Sequence, residues 1–354
     1  MPTQSSYARI HQQHLARIAK QLRAEYLKII KEVSKLVVPL SLNVSGEFYF
    51  RNYPAINKKV NKLLKTMYKE VYGGAVLGIN SEWDLAVEKN NEIARQIFGK
   101  DLKDLPNQYR DKYFSNNAAA RQAFVYRADG GLKLSQKVWN NTKQFKQELE
   151  LALEQGIGKG KSASSLAKSI TSSLNDPDKL FRRVRDKNGV LRLSKAAKAY
   201  NPGQGRYRSS YKNAFRLTRN ETNFSYERSQ GEKRKQQDFI VGVEIKVSPQ
   251  HKASDDKGGI SCLSLQGKYP KGFDFTYKWH VNCICTSFNI LKTPEELDKD
   301  VNKILDGKKP NTRSKNQVTG LPKSYTNYLG DNKNKWKNWK SQPRTFEGNK
   351  GLKP

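Results

Sequence analysis

The chain has 354 residues, 36% of them hydrophobic, and 66 Lys and Arg against 33 Asp and Glu give a formal charge of +33. With a mean hydropathy of -0.84, no apolar run approaches the roughly 18–20 residues of a membrane span, and the opening MPTQSSYARIHQQH lacks the apolar stretch of a secretory signal. A chain kept in a cytoplasm is therefore expected, without a membrane role. Its length suits two or three domains of roughly 100–200 residues, and its three cysteines are too few, and odd in number, for a disulfide scaffold. The excess of cations favours polyanions through counterion release, nucleic acid foremost; a solvated lysine-rich surface would give the same excess.

The first half reads as helical. Leu15, Ile18, Leu22, Ile29, Val33 and Leu36 fall at steps of three, four or seven, one apolar stripe between Tyr7 and Val38, and Pro39 ends it. A helix packed in a bundle explains the stripe, and a coiled coil or partner-binding helix is the alternative. His11 and His14 have no ligand partners nearby in sequence and read as surface residues. A second helix is expected from Pro54 to Gly73-Gly74 and a third from Ser81, which suits an N-cap. Further helices are expected over 117–128, 135–155 and 162–174. Gly156, Gly158 and Gly160 follow a helix rather than a strand, so they form a joint and not a dinucleotide loop.

Residues 179–208 carry ten basic residues and one acid, Asp186. Asp186-Lys187-Asn188-Gly189 between apolar flanks predicts a β-hairpin. Lys179, Arg182, Arg183, Arg185 and Arg192, interleaved with aromatic residues, are candidate nucleic-acid contacts; a solvated loop is the plain alternative. A long helix follows over about 209–237, with Leu217, Glu221 and Phe224 on one face. A lone buried carboxylate is costly, so Glu221 needs a partner, an arginine in a register-setting salt bridge or a metal-site residue. FIVGVEIKVS (239–248) then alternates with period two, as a strand does.

All three cysteines and two of the four histidines fall in residues 249–288. If 281–288 is a strand, Cys283 and Cys285 point to one face. With His280 and Cys262 they make a set of three thiols and one imidazole, of the kind that holds structural zinc, and His251 is a substitute ligand. A module of about 45 residues buries little core and gains from a staple. Two other readings use the same residues. One is a metal-free cluster of buried thiols with a hydrogen-bonded histidine. The other is a hydrolytic metal site of His251, His280, Asp255 and Asp256.

Taken together, RLTRNETNFSYERS (216–229), FIVGVEIKVSPQH (239–251), CLSLQGKYPKGFDF (262–275) and WHVNCIC (279–285) resemble the phage Mu F-like minor head proteins, or head morphogenesis proteins. In that family an Arg-x-Glu-Thr helix precedes a strand, an Asp/Cys turn ending in a Gly-Lys-like step, and a closing His-Pro-x-Cys-Arg-Cys. Arg219, Glu221 and Thr222 match the helix; Asp255 or Asp256, Cys262, Gly267, His280, Cys283 and Cys285 match the rest. Val281 replaces the usual Pro and Ile284 the usual Arg, which loosens the expected turn and removes a charge. The resemblance covers roughly 176–292. It implies a non-enzymatic minor capsid protein acting in head morphogenesis at or near the portal vertex, located in the phage head and, during assembly, in the host cytoplasm. The implied partners are the portal protein and other head proteins, with packaged double-stranded DNA close by. The alternatives are a DNA-binding protein of the packaged genome without a portal role, and a metal-dependent nuclease.

TPEELDKDVNKILDG (293–307) has the marks of a capped helix, with Thr293 and Glu296 as a capping box and Pro294 at the first turn. KKPNTRSKNQ after it reads as a linker. Trp336 and Trp339, set between lysines, would stack on bases or pack the tail onto the body. The expected fold is α+β and mainly α-helical. It comprises a helical region over 1–175, a small α+β module with the Cys/His cluster over 176–292, and a C-terminal helix and basic tail over 293–354.

Overall fold

Leu15, Leu22, Ile29 and Val33 are buried along α1 (Gln4–Val37) in the computed structural model, and Ile18 and Leu36 are half-buried beside them. The structure describes residues 3–39, 47–157, 161–249, 251, 261–336 and 343–352, with the backbone alone at 155–157 and 336. The glycines of 158 and 160, and Asp255, Asp256 and Trp339, lie outside the described residues, as does the side chain of Trp336.

Gly73-Gly74 does not end a helix. A single 45-residue helix, α2 (Pro54–Phe98), runs through both glycines and through Ser81. Each glycine costs about 1 kcal/mol of helix propensity, but Met67, Val71, Ala75, Ile79 and Trp83 continue one buried stripe across them, and that burial outweighs the cost. The chain continues through α3 (Asn107–Phe114), α4 (Ala118–Tyr126), the short pair β1 (Ala128–Asp129) and β2 (Leu132–Lys133), α5 (Leu134–Ile157) and α6 (Ala163–Ser172). The hairpin expected at Asp186–Gly189 is present as β3 (Arg183–Arg185) and β4 (Leu191–Leu193), followed by α7 (Lys195–Ala199) and α8 (Ser210–Gln236). The last part comprises β5 (Ile240–Lys246), β6 (Gly267–Pro270), β7 (Thr286–Leu291), α9 (Pro294–Leu305), α10 (Lys323–Trp336) and α11 (Arg344–Gly348). The fold is mainly helical with small sheets, and the cysteine cluster lies in its C-terminal part.

The chain divides into two units, Met1–Leu15, Gly78–Val125 and Asn220–Pro354 in the first, Ala16–Leu77 and Tyr126–Arg219 in the second. The first unit holds an antiparallel sheet in the order β6-β5-β7. Residues 240–243 of β5 are buried whichever way they point, as befits a central strand covered on both faces. One side meets α2, α3 and α9 through Ile93, Phe98, Tyr113, Ile240, Val301 and Ile304. The other carries Val243 and Ile245 into an aromatic cluster of Tyr269, Phe273, Phe275, Trp279, Tyr325 and Phe346. Tyr325 and Phe346 come from α10 and α11, so the tail packs back on this unit. The capping box at Thr293 and Glu296 forms as expected.

Gly242 is glycine for lack of space. A Cβ there would lie 2.7 Å from Val318 Cγ2 and 3.2 Å from Ile290 Cδ1, because the backbone N–H of Val318 bonds Val241 O at 3.2 Å and draws that segment over the strand. Gly242→Ala is expected to cost on the order of 1–3 kcal/mol as overpacking, read as a lower urea midpoint. Adding Val318→Ala should restore part of the loss; no restoration would mean that the clash is not the cause.

In the second unit, Tyr26 of α1 packs against Phe145 of α5 and Tyr211 of α8, with ring centroids 4.5 and 5.3 Å away. Glu148, on α5 with Phe145, is buried. It accepts hydrogen bonds from Ser210 N (2.5 Å), Ser210 Oγ (2.7 Å), Tyr200 Oη (2.8 Å) and Gln144 Nε2 (3.1 Å). One carboxylate thus ties α5 to the start of α8 and to the turn after α7.

Candidate metal centre

The expected strand over 281–288 starts late. β7 begins at Thr286, and Cys283 and Cys285 lie on the segment that leads into it. The reason is a tight turn. Asn282 adopts φ +63°, a left-handed conformation that asparagine tolerates, and Cys283 N bonds back to His280 O at 3.2 Å. The two thiols converge all the same, though strand alternation is not what brings them together.

Cys262, Cys283 and Cys285 are all buried, and their sulfur atoms lie within 4.8 Å of one another. Cys262 Sγ is 3.6 Å from Cys283 Sγ, near the edge of about 3.8 Å that Zn–S bonds of about 2.3 Å give in a tetrahedron. His280 Nδ1 is 2.9 Å from Val281 O, and Nε2 is 2.9 Å from Cys262 Sγ. With the first nitrogen donating to the carbonyl, the second turns its lone pair to the cluster, the arrangement a metal-ligating histidine uses. This buried cluster of three cysteines could hold a metal ion.

Its supports come from several elements. Trp279, 1% exposed, fixes the start of the loop in the aromatic cluster. Asn282 N donates to Asn220 Oδ1 at 2.9 Å, and Asn223 Nδ2 donates to Cys283 O at 2.9 Å, both from α8. Lys278, wholly buried, donates to Cys285 O at 2.5 Å and lies 3.4 Å from Glu227. These bonds tie down the backbone at Asn282, Cys283 and Cys285 and so position the thiols.

The thiols do not share charge equally. Burial works against ionising Cys283, but hydrogen bonds from Cys262 and Cys285, with Lys278 and His280 nearby, outweigh it and hold its thiol well below the ordinary range. Cys262 is pushed up, chiefly by its hydrogen bond to Cys283, and Cys285 is also raised. A divalent cation would displace the protons that the thiols carry.

The other candidate residues fall elsewhere. His251 is half-buried and does not belong to the ligand group that comes together among the described residues. Of the helix motif, Glu221 and Thr222 are buried on α8, and the Arg219 guanidinium sits 5.8 Å from the centre of the Phe215 ring. Leu217 and Phe224, expected on a core face, are only half-buried. The buried side of α8 is polar instead, with Asn223, Ser225, Glu227, Gln230, Lys233 and Arg234 all enclosed.

His11 is not a surface residue. It is fully buried, with Nδ1 against Glu82 Oε2 and Nε2 2.8 Å from Asn223 Oδ1. It stacks on Tyr226 at 4.2 Å. His14, part-exposed, reaches Glu82 Oε1 at 2.6 Å. Because Asn223 Nδ2 is committed to Cys283 O, both nitrogens of His11 face oxygen atoms. The start of α1 is thereby linked through α8 to the cysteine loop.

Of the basic candidates, Lys179 pairs with Asp176 at 3.5 Å, Arg182 with Glu154 at 3.3 Å and Arg192 with Asp186 at 2.7 Å. Arg183 and Arg185 are exposed on β3, together with Lys187 in the turn, which sequence reasoning passed over. A linear reading had no signal for Lys278, Asn223 or Glu82, because their roles depend on neighbours distant in the chain.

Comparison with known proteins found no matching family model, no matching curated protein and no matching solved structure. Among the described residues no helix is long and apolar enough to cross a membrane.

Proposed function

We propose that this chain is a structural, non-enzymatic minor head protein of the Mu F-like type, acting in head morphogenesis at or near the portal vertex and lying close to packaged DNA. The observation that carries this reading is the convergence of Cys262, Cys283 and Cys285, with His280 at Cys262. His280, Cys283 and Cys285 are the residues that match the family's closing motif and Cys262 the one that matches its Asp/Cys turn, and they are spread over 24 positions of the chain, from 262 to 285. The role is one of scaffolding: a metal-pinned loop beside a small sheet gives a rigid body for docking on other head proteins, while the charge of +33 suits a DNA-filled shell.

Zinc is the ion we assign to the cluster. Soft thiolates with one imidazole favour it over magnesium or calcium, and burial of all three sulfurs suits a structural rather than a catalytic site. Cys262, Cys283, Cys285 and His280 would hold it, and its contribution would be to cross-link the turn before β6 to the loop before β7.

The test is the copy number of this chain in purified phage particles, by quantitative mass spectrometry, before and after DNA ejection. A few copies per particle are expected. Absence from particles would overturn the head-protein reading.

A further inference from the structure

The β3–β4 hairpin is an unusual thing to build in solvent. A two-stranded ribbon on its own is marginally stable in water, and every residue of β3 is exposed, as are Leu191 and Arg192 of β4. Val184, Val190 and Leu191 are 41%, 49% and 55% exposed. Burial within the ribbon therefore does not hold it together.

Polar bonds hold it instead. Asp186 Oδ1 accepts from Asn188 N and Val190 N, both at 2.9 Å, and Oδ2 accepts from Arg192 Nε at 2.7 Å. Arg185 donates to Gly189 O at 2.7 Å, and Gly189 takes φ +76° to close the turn. The root is anchored: Phe181 and Ala197 are wholly buried, Ser194 N bonds Arg182 O at 2.7 Å, and Arg182 reaches the buried Glu154. The result is a stiff arm on a packed base.

Its charges are arranged for something outside the chain. The one carboxylate in the turn, Asp186, is used to fix the ribbon. Among the described residues no carboxylate pairs with Arg183, Arg185 or Lys187. The register Arg183↔Leu193, Val184↔Arg192 and Arg185↔Leu191 puts arginine and aliphatic side chains together on both faces. A purely solvated arm has no use for exposed aliphatics, and an acidic peptide strand would use one edge only. A ribbon offering unpaired cations on one face and aliphatic side chains on both fits a groove with phosphate walls. The major groove of B-DNA, about 12 Å wide, admits a two-stranded ribbon.

We propose that the β3–β4 ribbon is a duplex-DNA arm that enters the major groove without reading its sequence, with Arg183, Arg185 and Lys187 on the phosphates and Val184, Val190 and Leu191 against sugars and base edges. It rests on the proximity to DNA in the reading above and identifies the element that makes the contact. The ribbon's unpaired cations are assigned to phosphates, which carry no sequence information, so binding is sequence-independent and strongly salt-dependent.

The experiment uses the full chain and a 30-base-pair duplex of mixed sequence, with binding followed by fluorescence anisotropy across a salt series. The triple variant Arg183→Gln/Arg185→Gln/Lys187→Gln is compared with Lys59→Gln/Lys62→Gln/Lys65→Gln, which removes the same charge from an exposed face of α2. The ribbon variant should lose affinity on the order of ten-fold or more, with a log–log salt slope shallower by about 2–3; the α2 variant should lose much less. Val184→Thr/Leu191→Thr should weaken binding with the slope unchanged. A duplex whose cytosines carry bulky 5-substituents should bind worse at the same phosphate number. Equal losses in the two charge variants, or no effect of blocking the groove, would overturn the assignment. If the unaltered chain bound no DNA at all, the DNA contact itself would fall. If loss in the ribbon variant appeared only with an acidic partner protein and not with duplex, the arm would be a protein-docking element. The particle copy number is independent of all these outcomes.

Discussion

Cys283→Ser is expected to empty the cysteine cluster of metal and to destabilise the sheet-bearing unit strongly. Its thiol is the one of the three whose ionisation is favoured, and its sulfur lies 3.6 Å from Cys262 Sγ. Its backbone carbonyl, which receives Asn223, is untouched by the substitution, so the variant isolates the thiol. Where metal binding and folding are coupled, the binding free energy is folding free energy, about 10–16 kcal/mol for small zinc modules, against a typical total stability of about 5–15 kcal/mol. The aromatic cluster around Trp279 remains, so a compact state with a lower melting point is expected rather than a random coil. Elemental analysis should find about one zinc per native chain and close to none in the variant. The thermal midpoint should fall by about 10 °C or more. Cys262→Ser and Cys285→Ser should behave alike. His280→Ala should cost less, because His280 is half-exposed and a water can take its place on the ion. A native chain without metal, together with a loss of only about 1 kcal/mol in Cys283→Ser, would reduce the cluster to buried thiols.

The second large effect is at Glu148. Glu148→Ala removes the acceptor for Ser210 N, Ser210 Oγ, Tyr200 Oη and Gln144 Nε2 at once. Leaving buried donors unmatched costs about 1–3 kcal/mol each. Tyr200 and Gln144 retain other acceptors, Arg208 O and Tyr207 O, so about 3–5 kcal/mol is expected in total, seen as a lower urea midpoint. Glu148 also carries a pH signature. Burial pushes its carboxyl up to about 7 from the ordinary 4.5, against the pull of its donors. Between those values the folded state binds more protons than the unfolded chain. The contribution is therefore fully present below about pH 4.5 and is lost as pH rises through about 7, on the order of 3 kcal/mol. Glu148→Gln, which cannot ionise, should flatten that part of the stability profile between pH 5 and 8. An unchanged profile would assign the pH dependence to other groups.

Elements carried by local pattern were readable in advance. The α1 stripe, the Asp186–Gly189 turn, the alternation of β5 and the capping box of α9 each rest on residues within a few positions of one another, and all are present. The same locality misled at Gly73-Gly74, where two weak helix formers looked like an end. The stripe that carries α2 across them is stabilised by burial against other elements, which a short window does not contain. The Cys/His cluster was legible as a set of ligand-forming residues, and its three cysteines do meet. The strand drawn through it was not correct, because the left-handed Asn282 turns the chain before β7 begins.

Buried polar groups were the least legible part. His11 and Glu148, polar residues in helices that each carry an apolar stripe, look in sequence like exposed residues. Each is enclosed because its partner arrives from far along the chain, Glu82 and Asn223 for His11, Ser210 and Tyr200 for Glu148. The sequence by itself determined the helical class of the chain, its basic charge, the hairpin and the gathering of Cys and His near residues 262–285. Tertiary structure alone decided which of those residues meet, which cations are spent in ion pairs, and which carboxylates lie in the core. Periodicity and turn chemistry act over a few residues, whereas the desolvation and pairing of a charge depend on every element that closes around it.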